Sequence, residues 1–322
     1  MRFLLDAEQA EFGRTLDRLL GSADTPTVIR AWSSGDHGPG RGLWERLGET
    51  GVFALGIPEA FDGAGFLPVE LALSYVELGR HGVPGPVAET ASVARLLGCL
   101  PDVAKEWLPR IASGEAVVTL GVDSSSPYVL DADSADAVFV VSGDELRLAS
   151  GGHGPLLPSA DPARRLYAPA DGGTLLARGP DVRDAAARAV DLASLLTAAQ
   201  SLGVGLSLLH RAVEYVTQRT QFGVPIGSFQ AVKHRLADAL TGLEFARPLV
   251  FGAALSLVPG DIAAAKVAAG EASYAAARAA LQLHGAIGYT QELDLSLWLR
   301  KARPLRDAWG TPAACRARVL EG

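Results

Sequence analysis

The chain reads as a mainly α protein with a small β module in its middle. An N-terminal helical domain covers residues 1–114, a reduced β domain 115–182, and a C-terminal four-helix bundle 183–322. Three observations predict this. Short apolar-periodic segments ended by Gly or Pro fill the first third. β-branched pairs mixed with Gly and Asp run from Glu115 to Val182. Long apolar-periodic stretches rich in small residues follow from Asp184, the pattern of helices that approach one another closely.

In chain order, residues 6–20 have an amphipathic period and predict the first helix. Residues 24–41, rich in Gly, Pro and Ser, predict a loop. Stretches 43–51, 68–81, 86–97 and 101–113 read as short helices, and the glycines of P-E-A-F-D-G-A-G (58–65) suit a turn between two of them. Candidate strands are 116–122, 137–142, 146–149, 165–168 and 174–177. Long helices are expected over 185–218, 229–257 and 261–283, with a kink at Pro248. The fourth helix of the bundle is 292–303 or 312–320.

Composition narrows the function. The chain has 322 residues, 48% of them hydrophobic and 20% charged, which fits a globular protein with ample core. A net charge of -7 with no dense Lys/Arg run argues against a nucleic-acid partner. The two cysteines, Cys99 and Cys315, lack metal-ligand spacing and suggest no disulfide framework, so a cytoplasmic location is expected. Charges interrupt the apolar run of the first residues, M-R-F-L-L-D-A-E-Q-A-E, so no signal peptide is expected. The most apolar stretch, 192–209, contains Gln200 and reads as a buried bundle helix rather than a membrane span.

The chemistry concentrates between the first two long helices, where 219–238 reads R-T-Q-F-G-V-P-I-G-S-F-Q-A-V-K-H-R-L-A-D. Gly223, Pro225 and Gly227 break the helix, and Ser228 is the expected N-cap of the next one. Arg219, Phe222, Gln221 and Gln230 at such a junction suit an anionic ligand. An ordinary helix corner, with Arg219 capping the preceding helix, fits the same residues. The six histidines show no metal spacing, and no metal site is expected. G-A-I-G-Y at 285–289 has no strand before it and is not a dinucleotide fingerprint.

These motifs resemble the acyl-CoA dehydrogenase family. Residues 219–238 are similar to its R-x-x-F-G hairpin and Gln-bearing helix. Q-L-H-G-A-I-G-Y (282–289) is similar to its Q-x-x-G-G-x-G-[FY] motif, and 58–65 to its P-E-x-x-G-G-x-G loop. The resemblance implies FAD. Arg219, Gln221, Phe222, Gln230, Gln282, His284, Gly285, Gly288 and Thr311 would contact a flavin bound mainly to a neighbouring subunit, Arg219 through its planar fork on the diphosphate.

The same resemblance exposes what is missing. Under the family's E-G-T carboxylate motif fall Trp309, Gly310 and Thr311, so the usual base position holds Trp309. The alternative base position offers Ala193, followed by Ser194, and Asp191 nearby is not the family's usual base. The flavin loop, V-T-L-G-V-D-S-S at 118–125, departs from the family pattern. These departures imply the shortened subunit of a heteromeric acyl-CoA dehydrogenase, a heterotetramer with two copies of each chain. It would share FAD with a homologous chain that carries the catalytic Glu. The substrate would be an acyl-CoA, with room for a bulky or sterol-derived group, and the acceptor an electron-transfer flavoprotein or similar. Two alternatives stay open: a self-sufficient dehydrogenase with a relocated base, and a flavin-free structural or acyl-CoA-binding homologue.

Overall fold

The computed structural model of the chain describes residues 5–126, 128–150, 153–170 and 172–321. The start of the chain on which the signal-peptide expectation rests, residues 1–4, lies outside them. The architecture is mainly α: an N-terminal helical part, a small β region and a C-terminal helical part.

By contacts the chain divides into two compact units. One comprises Thr27–Ser74 and Val83–Leu196, the other Met1–Pro26, Tyr75–Gly82 and Thr197–Gly322. Helices α1 (Ala7–Gly21), α2 (Thr25–Ser33), α3 (Gly38–Glu49), α4 (Pro68–Arg80), α5 (Val87–Leu97) and α6 (Pro101–Ala112) open the chain. Asp6 caps α1 in a reciprocal box with Gln9, which satisfies two otherwise orphan backbone donors. Helix α2 corrects the loop expected over 24–41. Its Gly/Pro/Ser surroundings hide the spacing of Val28, Ile29 and Trp32, which are all buried, and Pro26 sits in the first turn, where its missing N–H costs nothing.

In the first unit α5 and α6 support the β region. Thr90 Oγ1 donates to the Val118 carbonyl, and Trp107 meets Phe139 edge-on at 5.5 Å. One sheet has the order β1 (Val118–Val122), β3 (Ala137–Ser142), β4 (Glu145–Leu148), β7 (Thr174–Arg178), with β1 and β3 parallel and the other pairs antiparallel. A second runs β2 (Val129–Leu130), β6 (Leu166–Tyr167), β5 (Leu156–Leu157). Strands β2 and β5 are too short to leave a sequence period.

Trp32 ties α2 to this region. Its Nε1 donates to Asp131 Oδ1 at 3.0 Å, and Arg165 N donates to the same oxygen at 3.3 Å. Complete burial pushes the Asp131 carboxyl up to about 7, partly offset by the Trp32 bond. Arg165 in turn pairs with Asp133 at 2.8 Å.

Helix α7 (Pro180–Gln218) is long and apolar enough to cross a membrane, but 83% of its most apolar window is buried inside the protein. It leads to α8 (Gln230–Ser256), α9 (Pro259–His284), α10 (Leu295–Asp307) and α11 (Pro312–Glu321). Both candidates for the fourth bundle helix therefore form. Val204, Leu208 and Ala212 of α7 pack with Ala277 and Ala280 of α9 and with Leu295, Trp298, Ala302 and Leu305 of α10. The alanines of α9 let neighbouring helices come close, and Lys266, buried among them, donates to the carbonyl of Leu305 at the end of α10. Helix α8 continues through Pro248. Cys99 and Cys315 are both free thiols.

Candidate cofactor-binding site

The first part of the site is a two-stranded hairpin at the end of α7. Strands β8 (Thr220–Gln221) and β9 (Val224–Pro225) pair antiparallel, and Ile226 N donates to the Arg219 carbonyl at 2.8 Å. The connecting residues Phe222 and Gly223 have φ of 54° and 80°. Two successive left-handed residues make the tight turn whose twist matches the strands. Glycine adopts it freely, while Phe222 is strained by roughly 1 kcal/mol. Its ring is also 92% exposed, with Phe229 edge-on to it at 6.3 Å. A strained, exposed aromatic at a hairpin tip suits contact with another molecule better than it suits this chain's own stability.

Arg219 and Gln221 are exposed at the root of the hairpin, and among the described residues the Arg219 guanidinium has no ion-pair partner. Gln230 begins α8, also exposed. Ser228 is not its cap. The Ser228 hydroxyl donates to the Pro225 carbonyl at 2.7 Å inside a 3-10 turn, and Phe229 occupies the cap position without a side-chain bond.

The second part is the turn that ends α9. Gly285 has φ 64° and ψ -140°, a conformation open essentially to glycine alone, and its Cβ side faces free space. Gly288 is buried, where a Cβ would lie 3.1 Å from Leu281 Cδ1. Beside this turn opens a cavity of about 670 Å³ lined by Arg278, Leu281, Gln282, Gly285, Ala286 and Tyr289.

His284 joins the two parts. Its buried ring stacks on Tyr215 at 4.1 Å and 22°, and its Nδ1 lies 2.8 Å from the Ala280 carbonyl. Tyr215 Oη also donates to the His284 carbonyl at 3.4 Å. Arg219 follows Tyr215 by one turn, its N–H donating to the Tyr215 carbonyl at 2.8 Å, and Gln282 precedes His284 by two residues. Two motif blocks far apart in sequence thus share one root. Burial pushes the His284 imidazole below its ordinary pKa, so the ring is a neutral fastener near pH 7.

Thr311 is not among the residues lining that cavity. Its Oγ1 accepts from Ala314 N at 3.3 Å at the start of α11. Trp309 just before it is 7% exposed with φ 55°, and Gly310 has φ 145°. Trp309, which the sequence resemblance sets under the family's carboxylate motif, is a buried indole.

Among other acids, Glu244 is ion-paired with Arg247 at 3.1 Å, while Asp238, Glu292 and Asp307 are exposed. Sequence spacing missed one cluster: Asp17, Glu77 and His81, whose ligand atoms lie within 4.8 Å of one another in a polar cavity of about 650 Å³. Arg80 already bonds both Glu77 oxygens at 2.9 and 3.2 Å and lies 3.6 Å from Asp17, so the cluster is an ion-pair network. Arg278 also lines the cavity beside the glycine turn. Its position four residues before Gln282, on the same helix face, is the signal of this in the sequence.

The family model for the acyl-CoA dehydrogenase N-terminal domain matches residues 6–115, and that for the C-terminal domain matches 183–322. The acyl-CoA dehydrogenase IpdE2 of Mycobacterium tuberculosis is 36% identical over 92% of this chain and 91% of its own length. This chain belongs to the acyl-CoA dehydrogenase family. In fold it is similar to one chain of the ChsE4-ChsE5 complex of Mycobacterium tuberculosis (TM-score 0.85, 24% identity, covering 100% of this chain and 98% of that one). It is likewise similar to the Tcur3481-Tcur3483 steroid ACAD (TM-score 0.86, 22% identity, 98% and 97% covered). The residues present suit the acyl-CoA dehydrogenase family's flavin nucleotide. Arg278, which has no ion-pair partner among the described residues, and the exposed amide of Gln282 line an open cavity, and the bare backbone of Gly285 leaves room for a close approach.

Proposed function

We propose that this chain is the base-lacking subunit of a two-chain, FAD-dependent acyl-CoA dehydrogenase. It lends the hairpin and the glycine turn to a flavin held mainly by a homologous partner chain. The observation that carries this reading is Trp309. A buried indole on left-handed backbone stands at the position that the resemblance gives to the family's carboxylate, while Arg219, Gln221, Gln230 and Gln282 are present and exposed. The likeness in fold to the ChsE4-ChsE5 complex and to the Tcur3481-Tcur3483 steroid ACAD supports a two-chain enzyme and a bulky, sterol-derived acyl group.

In this reading Arg219 pairs its fork with the diphosphate. Gln221, Gln230, Gln282 and Thr311 supply polar contacts, and Gly285 and Gly288 keep the backbone accessible. Phe222 packs against the partner. Bound FAD supplies the hydride acceptor for α,β-desaturation of the thioester, and the α-proton is taken by a carboxylate of the partner chain. A heterotetramer with two copies of each chain, an electron-transfer flavoprotein as acceptor and a cytoplasmic location go with this reading. So does the division at 1–114, 115–182 and 183–322.

The test is flavin absorbance per protein mass for this chain expressed alone and co-expressed with a carboxylate-bearing homologue. Flavin only in the mixed complex, at one per two chains, is expected. Stoichiometric flavin on this chain alone would overturn the shared site.

A further inference from the structure

The end of α9 is by itself a poor place for a phosphate. Its last carbonyls form the negative end of the helix dipole. His284, the basic residue of that turn, is buried and held neutral. Positive charge must come from outside the glycine motif. Arg278 lies one turn before Gln282 on the same face of α9. It lines the cavity of Gln282 and Gly285, and it also lines a second cavity of about 470 Å³ with His234, Arg235 and Asp238 of α8. It is exposed and, among the described residues, has no ion-pair partner. Across the two cavities Arg278, Arg235 and His234 face a single acid, Asp238.

We propose that Arg278 is a phosphate-binding residue of the shared site. It pairs with the phosphate groups of the nucleotide that Arg219 grips from the hairpin, and it offsets the carbonyl end of α9. The inference rests on the reading that this chain contributes to a flavin site with a partner. An arginine suits the position because its fork reaches two oxygens at once while its stem stays on the helix. In the groove it shares with Arg235, two guanidiniums stand against the single carboxylate of Asp238, so the α8–α9 face keeps a positive field that draws a polyanion in.

The test is titration of the flavin-stripped complex, purified through a tag on this chain, with FAD, reading the quenching of flavin fluorescence. Arg278→Ala is expected to raise the Kd roughly tenfold, the loss for a hydrogen-bonded charge pair, and to flatten its dependence on salt. Arg278→Lys is expected to recover part of the loss. Arg219→Ala is the companion variant. An unchanged Kd in Arg278→Ala beside a weakened Arg219→Ala would remove Arg278 from the site and leave the shared-site reading standing. An unchanged Kd in both would overturn that reading and this inference together. If Arg278→Ala fails to assemble, Arg278→Gln keeps the length of the side chain without its charge and gives the same discrimination.

Discussion

Arg165 is fastened on every side: to Asp133 through Nε at 2.9 Å, to Tyr167 Oη at 3.0 Å and to the Ser33 carbonyl at 3.4 Å. The Arg219 guanidinium, on the hairpin, has no ion-pair partner among the described residues. The two arginines mark two regions with opposite chemistry. Around Asp131 buried groups are tied together through Asp131 Oδ1 and Asp133 Oδ2, and removing one strands another. Around the hairpin and the Gly285 turn, polar and aromatic groups face outward and one residue is held in a strained conformation. The groups of the first region hold one another, and those of the second are left open.

The largest test of that contrast falls on Trp32. It is buried, and its indole is a donor to Asp131, so Trp32→Ala should cost about 4 kcal/mol by urea denaturation. A loss under about 1 kcal/mol would mean that the Asp131 region is no true core.

Asp131 gives the next effect, through pH. Its folded pKa of about 7 lies above its ordinary value, so between pH 4 and 7 the folded state binds a proton that the unfolded state has lost. The resulting stability is complete below the unfolded pKa and disappears as pH rises through about 7. Urea midpoints should therefore fall across that window by an amount worth a few kcal/mol. The fall should vanish in Asp131→Asn; a slope unchanged in that variant would place its origin elsewhere.

At the hairpin, Arg219→Ala should leave the urea midpoint of the isolated chain within about 0.5 kcal/mol, as for an exposed, unpaired side chain. In the complex the same variant should weaken FAD roughly tenfold. A large loss of stability would show that Arg219 serves the fold, and the contrast would fail. The smallest effect has the opposite sign. Phe222→Gly should stabilise the isolated chain by up to about 1 kcal/mol by relieving the left-handed strain. It should also weaken co-purification with the partner. A destabilised chain would mean that the exposed ring packs on this protein after all.

Much of the fold was legible because it depends on local pattern. The long helices, the break at Gly223 and the turn after His284 follow from period, Gly and Pro. Helix α2 was not legible, since three core residues in a nine-residue helix are a weak signal amid Gly, Pro and Ser. Ser228 looked like a cap because residue type alone carries no dihedral; its hydroxyl turned back to Pro225 instead. At the site, the motif residues could be named in advance, but their partners could not. Tyr215, on which the His284 ring stacks, is one such partner, since 69 residues separate the two along the chain.

The sequence by itself determined the helical architecture, the hairpin and the glycine turn, because residue type and near-neighbour spacing decide these. Only the tertiary structure decided that Tyr215 and His284 bring the two motif blocks together. It alone set Arg278 between two cavities, closed the Asp17, Glu77 and His81 cluster with Arg80, and raised Asp131 towards neutrality. Those outcomes depend on distance across the fold and on exclusion of water, and neither is encoded in spacing along the chain.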